Sequence, residues 1–172
     1  PLGEDTGAAV IFGATGGVME AALRTAAEGI EGKPLEKLEF NEGRGTEGVK
    51  FASYSLGGMT INVAIASGTA NAKRLLKDVQ AGKVDVQFIE IMACPGGCVN
   101  GGGQPYQPAS VRNNVDLRAL RASVLYTADS KMDLRKSHEN SAVKMLYDEF
   151  FGEPNSHKAH EILHTSYVKR GL

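Results

Sequence analysis

The sequence has few cysteines, no excess of either charge and no long apolar run. Two cysteines among 172 residues are too few for a disulfide framework. Nineteen basic and 20 acidic side chains leave a net charge of -1, which gives no field to attract nucleic acid or an anionic membrane. No apolar stretch is as long as a membrane span, and the N-terminus has no secretory signal pattern. These absences argue against the disulfide-rich, nucleic-acid-binding and membrane classes of protein.

What is present is an ordinary globular composition, with 42% hydrophobic and 23% charged residues. A chain of this length can bury a real hydrophobic core. We expect a cytoplasmic protein, because two free thiols suit a reducing compartment, with a periplasmic parent as the alternative. The chain begins at Pro1 rather than at methionine, so we expect a segment of a longer protein.

Periodicity predicts alternating strands and helices up to residue 92 and helices alone after residue 108. The predicted strands are 7–12, 49–56, 59–67 and 84–92, and the predicted helices are 18–28, 72–80, 117–130, 141–151 and 158–168. Gly57-Gly58 joins two strands as a hairpin, and Asn140-Ser141 and Asn155-Ser156 are candidate helix N-caps. We therefore expect an α/β fold with a mostly parallel twisted sheet flanked by helices, followed by a helical C-terminal tail.

The last predicted strand leads into a segment, Glu90 to Pro105, that holds two thiols and five glycines in 16 residues. In open α/β folds functional groups collect beyond the C-terminal ends of strands, where we expect both this segment and a glycine turn at 13–17. Cys94 and Cys98 offer soft thiolates that suit iron–sulfur clusters or zinc. A cubane cluster normally takes four thiolates, so two make an incomplete site. The alternative is that both are small buried hydrophobic side chains, against which the many glycines argue.

Two segments carry a resemblance to a known family. EIMACPGGCVNGGGQP, from Glu90 to Pro105, resembles the last of the three cysteine signatures of iron-only (FeFe) hydrogenases. VIFGATGGVMEAALR, from Val10 to Arg24, is similar to the family's active-site strand, turn and helix. Parts of the tail resemble the segment that some periplasmic members carry as a separate small subunit: 121–126, 136–140 and 157–164. The resemblance thus covers essentially the whole chain.

The resemblance implies the C-terminal part of a hydrogenase catalytic domain. Residues 1–108 would form one lobe of that domain, and residues 109–172 a helical small-subunit-like segment packed on it. The implied cofactor is the H-cluster, a 4Fe-4S cubane joined to a two-iron unit that bears CO, CN and a bridging dithiolate. The parent would reversibly reduce protons to hydrogen with electrons from ferredoxin or a similar carrier. The alternative is a hydrogenase-like iron–sulfur assembly protein without hydrogenase activity.

The resemblance also assigns residues to the cluster. Cys94 would ligate the cubane alone, and Cys98 would bridge the cubane and the two-iron unit. Phe12, Gly13 and Met92 would line the two-iron unit. The family's other two cubane cysteines and its proton relay lie upstream of the matched region, so we expect no complete catalytic set here. We expect the isolated chain to lack the H-cluster, to be inactive, and to dimerise or swap domains through the surface that the missing part would cover.

Three other motifs predict other features. His160-Glu-Ile-Leu-His164 matches a zinc-protease pattern, but only His157 is nearby as a third ligand. The turn at 13–17 could place a phosphate at a helix N-terminus, although it fits neither the dinucleotide nor the Walker pattern. Glu20 and Arg24, four residues apart on a predicted helix, indicate a surface ion pair.

Overall fold

The structure is a computed structural model that describes residues 3–169 and 171; Pro1, on which one expectation rests, lies outside the described residues. Its helices are α1 (Gly7–Val10), α2 (Gly17–Glu31), α3 (Thr69–Gln80), α4 (Ala109–Arg112), α5 (Leu117–Ser130), α6 (Ser141–Leu146) and α7 (His157–Leu163). Its strands are β1 (Val49–Leu56), β2 (Met59–Ser67) and β3 (Phe88–Met92). Among the described residues no helix combines the length and the apolar character needed to cross a membrane.

The three strands form one sheet in the order β1, β2, β3. β1 and β2 make the predicted antiparallel hairpin, with Leu56 opposite Met59. Gly57 and Gly58 have positive φ values of 55° and 79°, which a two-residue hairpin turn requires and glycine adopts without strain. β3 pairs with β2 in parallel. The α/β class is confirmed. The sheet is mixed rather than mostly parallel, because the two-residue connection between β1 and β2 can join only antiparallel strands.

The predicted strand over residues 7–12 is wrong, because helix α1 and a 3-10 turn at Ile11–Gly13 occupy this segment. The hydroxyl of Thr6 accepts a hydrogen bond of 3.1 Å from the backbone N–H three residues ahead and caps the helix. Ala8 and Ile11, three residues apart, are fully buried on one helical face. Burial therefore decides the conformation of a short apolar run that periodicity alone cannot assign. The glycine turn follows a helix rather than a strand.

The second half of β2, from Val63 to Ser67, is buried because a helix covers each face of the sheet there, with alternate residues pointing to opposite sides. Helix α2 packs on one face in a cluster of Met19, Leu23, Ala27, Tyr54, Leu56, Val63 and Ile65. Helix α3 packs on the other face in a cluster of Ala64, Ala66, Ala72 and Leu75. β3, at the edge of this layered core, carries the cysteine-containing segment at its C-terminal end.

After residue 108 the described chain contains helices and turns but no strand, as predicted. The side-chain oxygen of Asn140 accepts hydrogen bonds of 2.8 and 3.2 Å from two N–H groups at the start of α6. The Ser156 hydroxyl accepts one of 3.1 Å at the start of α7. Both predicted N-caps are confirmed. α7 ends at Leu163, five residues before the predicted boundary.

Buried ion pairs join the tail to the core. Fully buried Arg24 of α2 donates two hydrogen bonds of 2.8 Å to Asp129 of α5 and a third to Glu20. Arg135 also donates to Asp129, at 2.8 Å. Burial by itself would raise the pKa of Asp129, but the hydrogen bonds from the two arginines outweigh it and lower that pKa. The predicted surface pair is therefore wrong: Glu20 and Arg24 are buried, and with buried Asp129 and half-buried Arg135 they form a cluster, here called the tail network.

Candidate metal centre

The cysteine loop, residues 93–105, begins where β3 ends. The carbonyl of Met92 accepts a hydrogen bond of 2.8 Å from the N–H of Gly68, which fixes the start of the loop next to β2. Cys94 is half-buried and Cys98 is exposed, and both are free thiols. The carbonyls of the two cysteines accept turn hydrogen bonds of 3.0 and 2.9 Å from residues further along the loop. The loop is therefore a series of tight turns that leaves one thiol accessible.

The glycine turn, residues 13–17, packs directly on the cysteine loop. The N–H of Thr15 donates a hydrogen bond of 3.1 Å to the carbonyl of Gly96. Gly97 has a φ of +96°, and a Cβ added there would lie 2.7 Å from the carbonyl oxygen of Gly13 and 2.7 Å from the Thr15 nitrogen. Only glycine combines this backbone conformation with so close an approach. The structure thus brings together the two segments that the sequence singles out.

The predicted site residues occupy different parts of this contact. Gly13 lies in the contact itself, and Phe12 beside it is 46% exposed. Met92 is half-buried at the end of β3, where its register partner in β2 is Ser67. The contacts that join the two loops run through the backbone of Gly13 and Thr15, whereas Met92 is held by the sheet.

Glu90 of β3 links the strand that carries the cysteine loop to the glycine turn, and the sequence pattern does not predict this role. Its carboxylate, on a residue only 5% exposed, accepts hydrogen bonds of 2.6 Å from the N–H of Gly16 and 2.7 Å from the N–H of Met19. These N–H groups belong to the first turn of α2, where no helical partner exists for them and a negative charge is favoured. The strand that carries the cysteine loop therefore also holds the glycine turn.

Lys50 holds the glycine turn from the other side. Its ammonium group donates to the carbonyls of Thr15, Gly43 and Gly45 at 3.2, 2.7 and 3.0 Å. Burial lowers the pKa of Lys50, and the nearby charge of Glu90 opposes that shift. A charged residue at an inward position of an apolar strand is the one sequence signal that could have indicated Lys50 and Glu90.

The donor set at this site fits part of an iron–sulfur group. Cys94 and Cys98 supply two soft thiolates on a glycine-rich backbone, and Cys98 is exposed. Four thiolates complete an ordinary cubane, and these are the chain's only two cysteines. The residues thus suit half of the ligand set of a 4Fe-4S cluster.

Two other groups of potential metal ligands are less suitable for binding a metal ion than the two cysteines. Glu28, His138 and Glu139 place ligand atoms within 4.8 Å of one another, but the ammonium of Lys136 already lies 2.8 and 2.6 Å from the two carboxylates. In the zinc-protease motif the Nδ1 atoms of the two histidines, 160 and 164, lie 3.1 Å apart on an exposed surface. No third ligand joins them among the described residues.

The sequence profile described as "Iron only hydrogenase large subunit, C-terminal domain" matches residues 1–102. The chain belongs to the iron-only hydrogenase family. A second profile, "Iron hydrogenase small subunit", matches residues 115–170. The NADP-reducing hydrogenase subunit of Solidesulfovibrio fructosivorans is 49% identical over 99% of this chain and 28% of its own length. An FeFe hydrogenase of Chlamydomonas reinhardtii is similar in structure, with a TM-score of 0.70 and 41% identity over 94% of this chain and 46% of that one.

Relatives outside this first group differ in the part of the chain they match or in their described role. The periplasmic iron hydrogenase large subunit of Nitratidesulfovibrio vulgaris is 52% identical over 62% of this chain and 25% of its own length. The protein NAR1 of Arabidopsis thaliana is 32% identical over 91% of this chain and 33% of its own length. The chain therefore spans about a quarter to a third of the curated relatives named here.

Proposed function

We propose that the chain is the C-terminal part of the catalytic domain of an iron-only hydrogenase. Residues 1–108 would form one lobe of that domain, and residues 109–172 a small-subunit-like segment. The two family profiles support this division, since one ends at residue 102 and the other begins at residue 115. The complete protein would reversibly reduce protons to hydrogen, with electrons from ferredoxin or a similar carrier through accessory iron–sulfur domains.

The contact between the cysteine loop and the glycine turn is the observation that carries this proposal. Cys94 would ligate a cubane iron, and Cys98 would bridge the cubane and the two-iron unit. Phe12, Gly13 and Met92 would line the two-iron unit with apolar side chains and bare backbone, so that no protic side chain competes there. When bound, the H-cluster supplies the redox and hydrogen-forming chemistry, and the chain supplies two ligands, shape and exclusion of water.

The missing upstream part of the same protein would be the principal partner. It would provide the remaining two cubane thiolates and the proton relay, because this chain has no further cysteine. We expect the isolated chain to retain no H-cluster and to evolve no hydrogen. We also expect it to dimerise or swap domains, since Phe12, Phe88 and Ile91 are 46%, 40% and 46% exposed. Light scattering on the purified chain measures this directly.

An iron–sulfur assembly function is the second candidate. It is favoured by the match to Arabidopsis NAR1 and by a 35% identity to a protein of Drosophila ananassae described as a probable cytosolic Fe-S cluster assembly factor. Such a protein would use the cysteine loop for a cubane but would need no two-iron unit. The cytoplasm is the proposed compartment for either function, while the relative in Nitratidesulfovibrio is described as periplasmic.

The test is spectroscopy on the complete protein, matured with the accessory proteins that build the two-iron unit. We expect infrared bands of bound CO and CN, together with evolution of hydrogen from protons when a chemical reductant supplies the electrons. The Cys98→Ser variant should lose both, whereas Ser123→Ala, an exposed hydroxyl change on α5, should lose neither. A cubane without CO or CN bands in the wild-type protein would support the assembly function instead.

A further inference from the structure

Helix α5 of the tail lies against the cysteine loop and donates two hydrogen bonds to its backbone. The guanidinium of Arg121 donates a hydrogen bond of 3.0 Å to the carbonyl of Val99 and another of 2.9 Å to the carbonyl of Pro105. Val99 directly follows Cys98 in the chain and is 5% exposed. One side chain from the tail therefore closes the loop segment between residues 99 and 105.

The segment that Arg121 closes has little else to hold it. It contains Gly101, Gly102 and Gly103, and a Cβ added at either of the last two would meet nothing within 4 Å. Its other backbone hydrogen bonds are local turns, such as the 3.1 Å bond from the Gln104 N–H to the Gly101 carbonyl. Glycine has the largest conformational freedom to lose, so an unpacked triple-glycine stretch needs an external constraint.

Two neighbours of Arg121 extend the same contact along one face of α5. A Cβ added at Gly96 of the cysteine loop would lie 2.9 Å from the side chain of Arg118. A Cβ added at Gly13 of the glycine turn would lie 2.7 Å from a methyl carbon of Leu125. Arg118, Arg121 and Leu125 are spaced three and four residues apart, which places them on one side of the helix. The tail thus covers both loops of the candidate metal centre.

We infer that Arg121 is a positioning residue that sets the orientation of Cys98 by clamping the backbone on both sides of the triple glycine. This inference rests on the proposed function, because Cys98 is the expected bridging ligand. The guanidinium of Arg121 reaches the two carbonyls from two different nitrogens held in one plane, whereas all the N–H groups of an ammonium belong to a single nitrogen. Arginine therefore fits this role in a way that lysine does not.

The test uses the complete protein carrying its cubane, with Arg121→Gln and Arg121→Lys compared with wild type. Arg112→Gln is the matched control, since Arg112 is exposed and its guanidinium lies 5.6 Å from the ring centre of exposed Tyr106. The readouts are bound iron, the electron paramagnetic resonance spectrum of the reduced cubane, and amide hydrogen exchange in residues 99–104. None of these depends on turnover.

Arg121→Gln should bind the same amount of iron as wild type but show a broader resonance spectrum. Its amide hydrogen exchange in residues 99–104 should be faster on the order of tenfold, which corresponds to a loss of about 1.4 kcal/mol of local protection. Arg121→Lys should fall between Gln and wild type, and the control should match wild type. An unchanged spectrum and unchanged exchange in both Arg121 variants with full iron would overturn the inference. So would a uniform loss of protection across the whole chain in both, which indicates a purely structural role. Wild-type protein that binds no iron would instead contradict the proposed function.

Discussion

Two clusters of charged side chains lie along helix α2, one at its N-terminus and one near its middle, and they bind different kinds of group. At its N-terminal end Glu90 and Lys50, here called the turn network, bind backbone N–H and carbonyl groups of the glycine turn and its neighbours. Further along the helix, the tail network pairs charged side chains with one another. Charges that bind backbone fix the path of a loop, and charges that bind charges fix one segment to another. The turn network binds the glycine turn of the candidate metal centre, and the tail network binds α5, whose Arg121 donates to the cysteine loop.

Breaking the tail network should have the largest effect. Arg24→Ala would remove the two hydrogen bonds that buried Asp129 accepts from Arg24, and it would leave buried Glu20 with Arg44 as its remaining partner. We expect it to lower the free energy of unfolding by about 3–5 kcal/mol, because buried charges lose part of their pairing. Urea denaturation followed by circular dichroism measures the loss.

The matched control for that change is an exposed ion pair. Lys83 lies 3.7 Å from Asp78 with its side chain 71% exposed, so Lys83→Ala should cost at most about 0.5 kcal/mol. If Arg24→Ala proved as mild as Lys83→Ala, the tail network would not be what fastens the tail to the core.

Separating the two loops should come next. Gly97→Ala would add a Cβ 2.7 Å from the Gly13 carbonyl oxygen at a φ of +96°, and we expect it to cost about 2–3 kcal/mol and push the loops apart. Gly102→Ala is the control, because a Cβ there meets nothing within 4 Å and the φ of Gly102 is not positive. Denaturation of both variants tests this, and equal stability would refute the close contact.

Weakening the turn network should lower the free energy of unfolding by less than the changes to Arg24 and Gly97 above. Its effect on amide hydrogen exchange should be confined to the glycine turn and the start of α2. Glu90→Gln keeps the shape but replaces two charged acceptor oxygens with one neutral acceptor, which we expect to cost about 1.5–2 kcal/mol. Hydrogen exchange at the amides of Gly16 and Met19 should accelerate more than exchange in β2. Uniform acceleration throughout the chain would argue against a specific role for Glu90 in holding the turn.

The smallest expected effect is a pH dependence at the edge of the tail. The hydrogen bond from Lys136 lowers the pKa of Glu28 from 4.5 to about 2, although burial acts in the opposite direction. Ionised Glu28 therefore stabilises the fold above pH 4.5, and this contribution of about 1 kcal/mol is lost as the pH falls through about 2. The stability difference between wild type and Glu28→Gln should shrink over that range. A constant difference would show that the pair does not contribute.

The regular part of the fold could be predicted from local patterns. Alternating apolar residues with Gly57-Gly58 between them predict the hairpin, and Asn140 and Ser156 mark the starts of two helices. The segment 7–12 could not be assigned in this way, because its helix depends on burial of Ala8 and Ile11 against distant residues. Short apolar runs leave the choice between strand and helix to tertiary contacts.

The residues of the candidate site also differ in whether a local sequence pattern predicts them. Cys94, Cys98 and the glycines stand out as a dense motif, so the sequence indicates where a metal would bind. Glu90 and Arg121 act through partners 74 and 22 residues away, and no local pattern records those distances. The prediction of a surface pair for Glu20 and Arg24 is wrong for the same reason, since four-residue spacing predicts contact between side chains but not their burial.

The most direct test of the central claim is the metal content and infrared spectrum of the complete matured protein with and without Cys98. We predict that the wild-type protein holds a 4Fe-4S cubane and shows bands of bound CO and CN. In Cys98→Ala those bands should disappear. Persistence of the CO and CN bands in Cys98→Ala would contradict the claim that this loop carries the bridge to the two-iron unit.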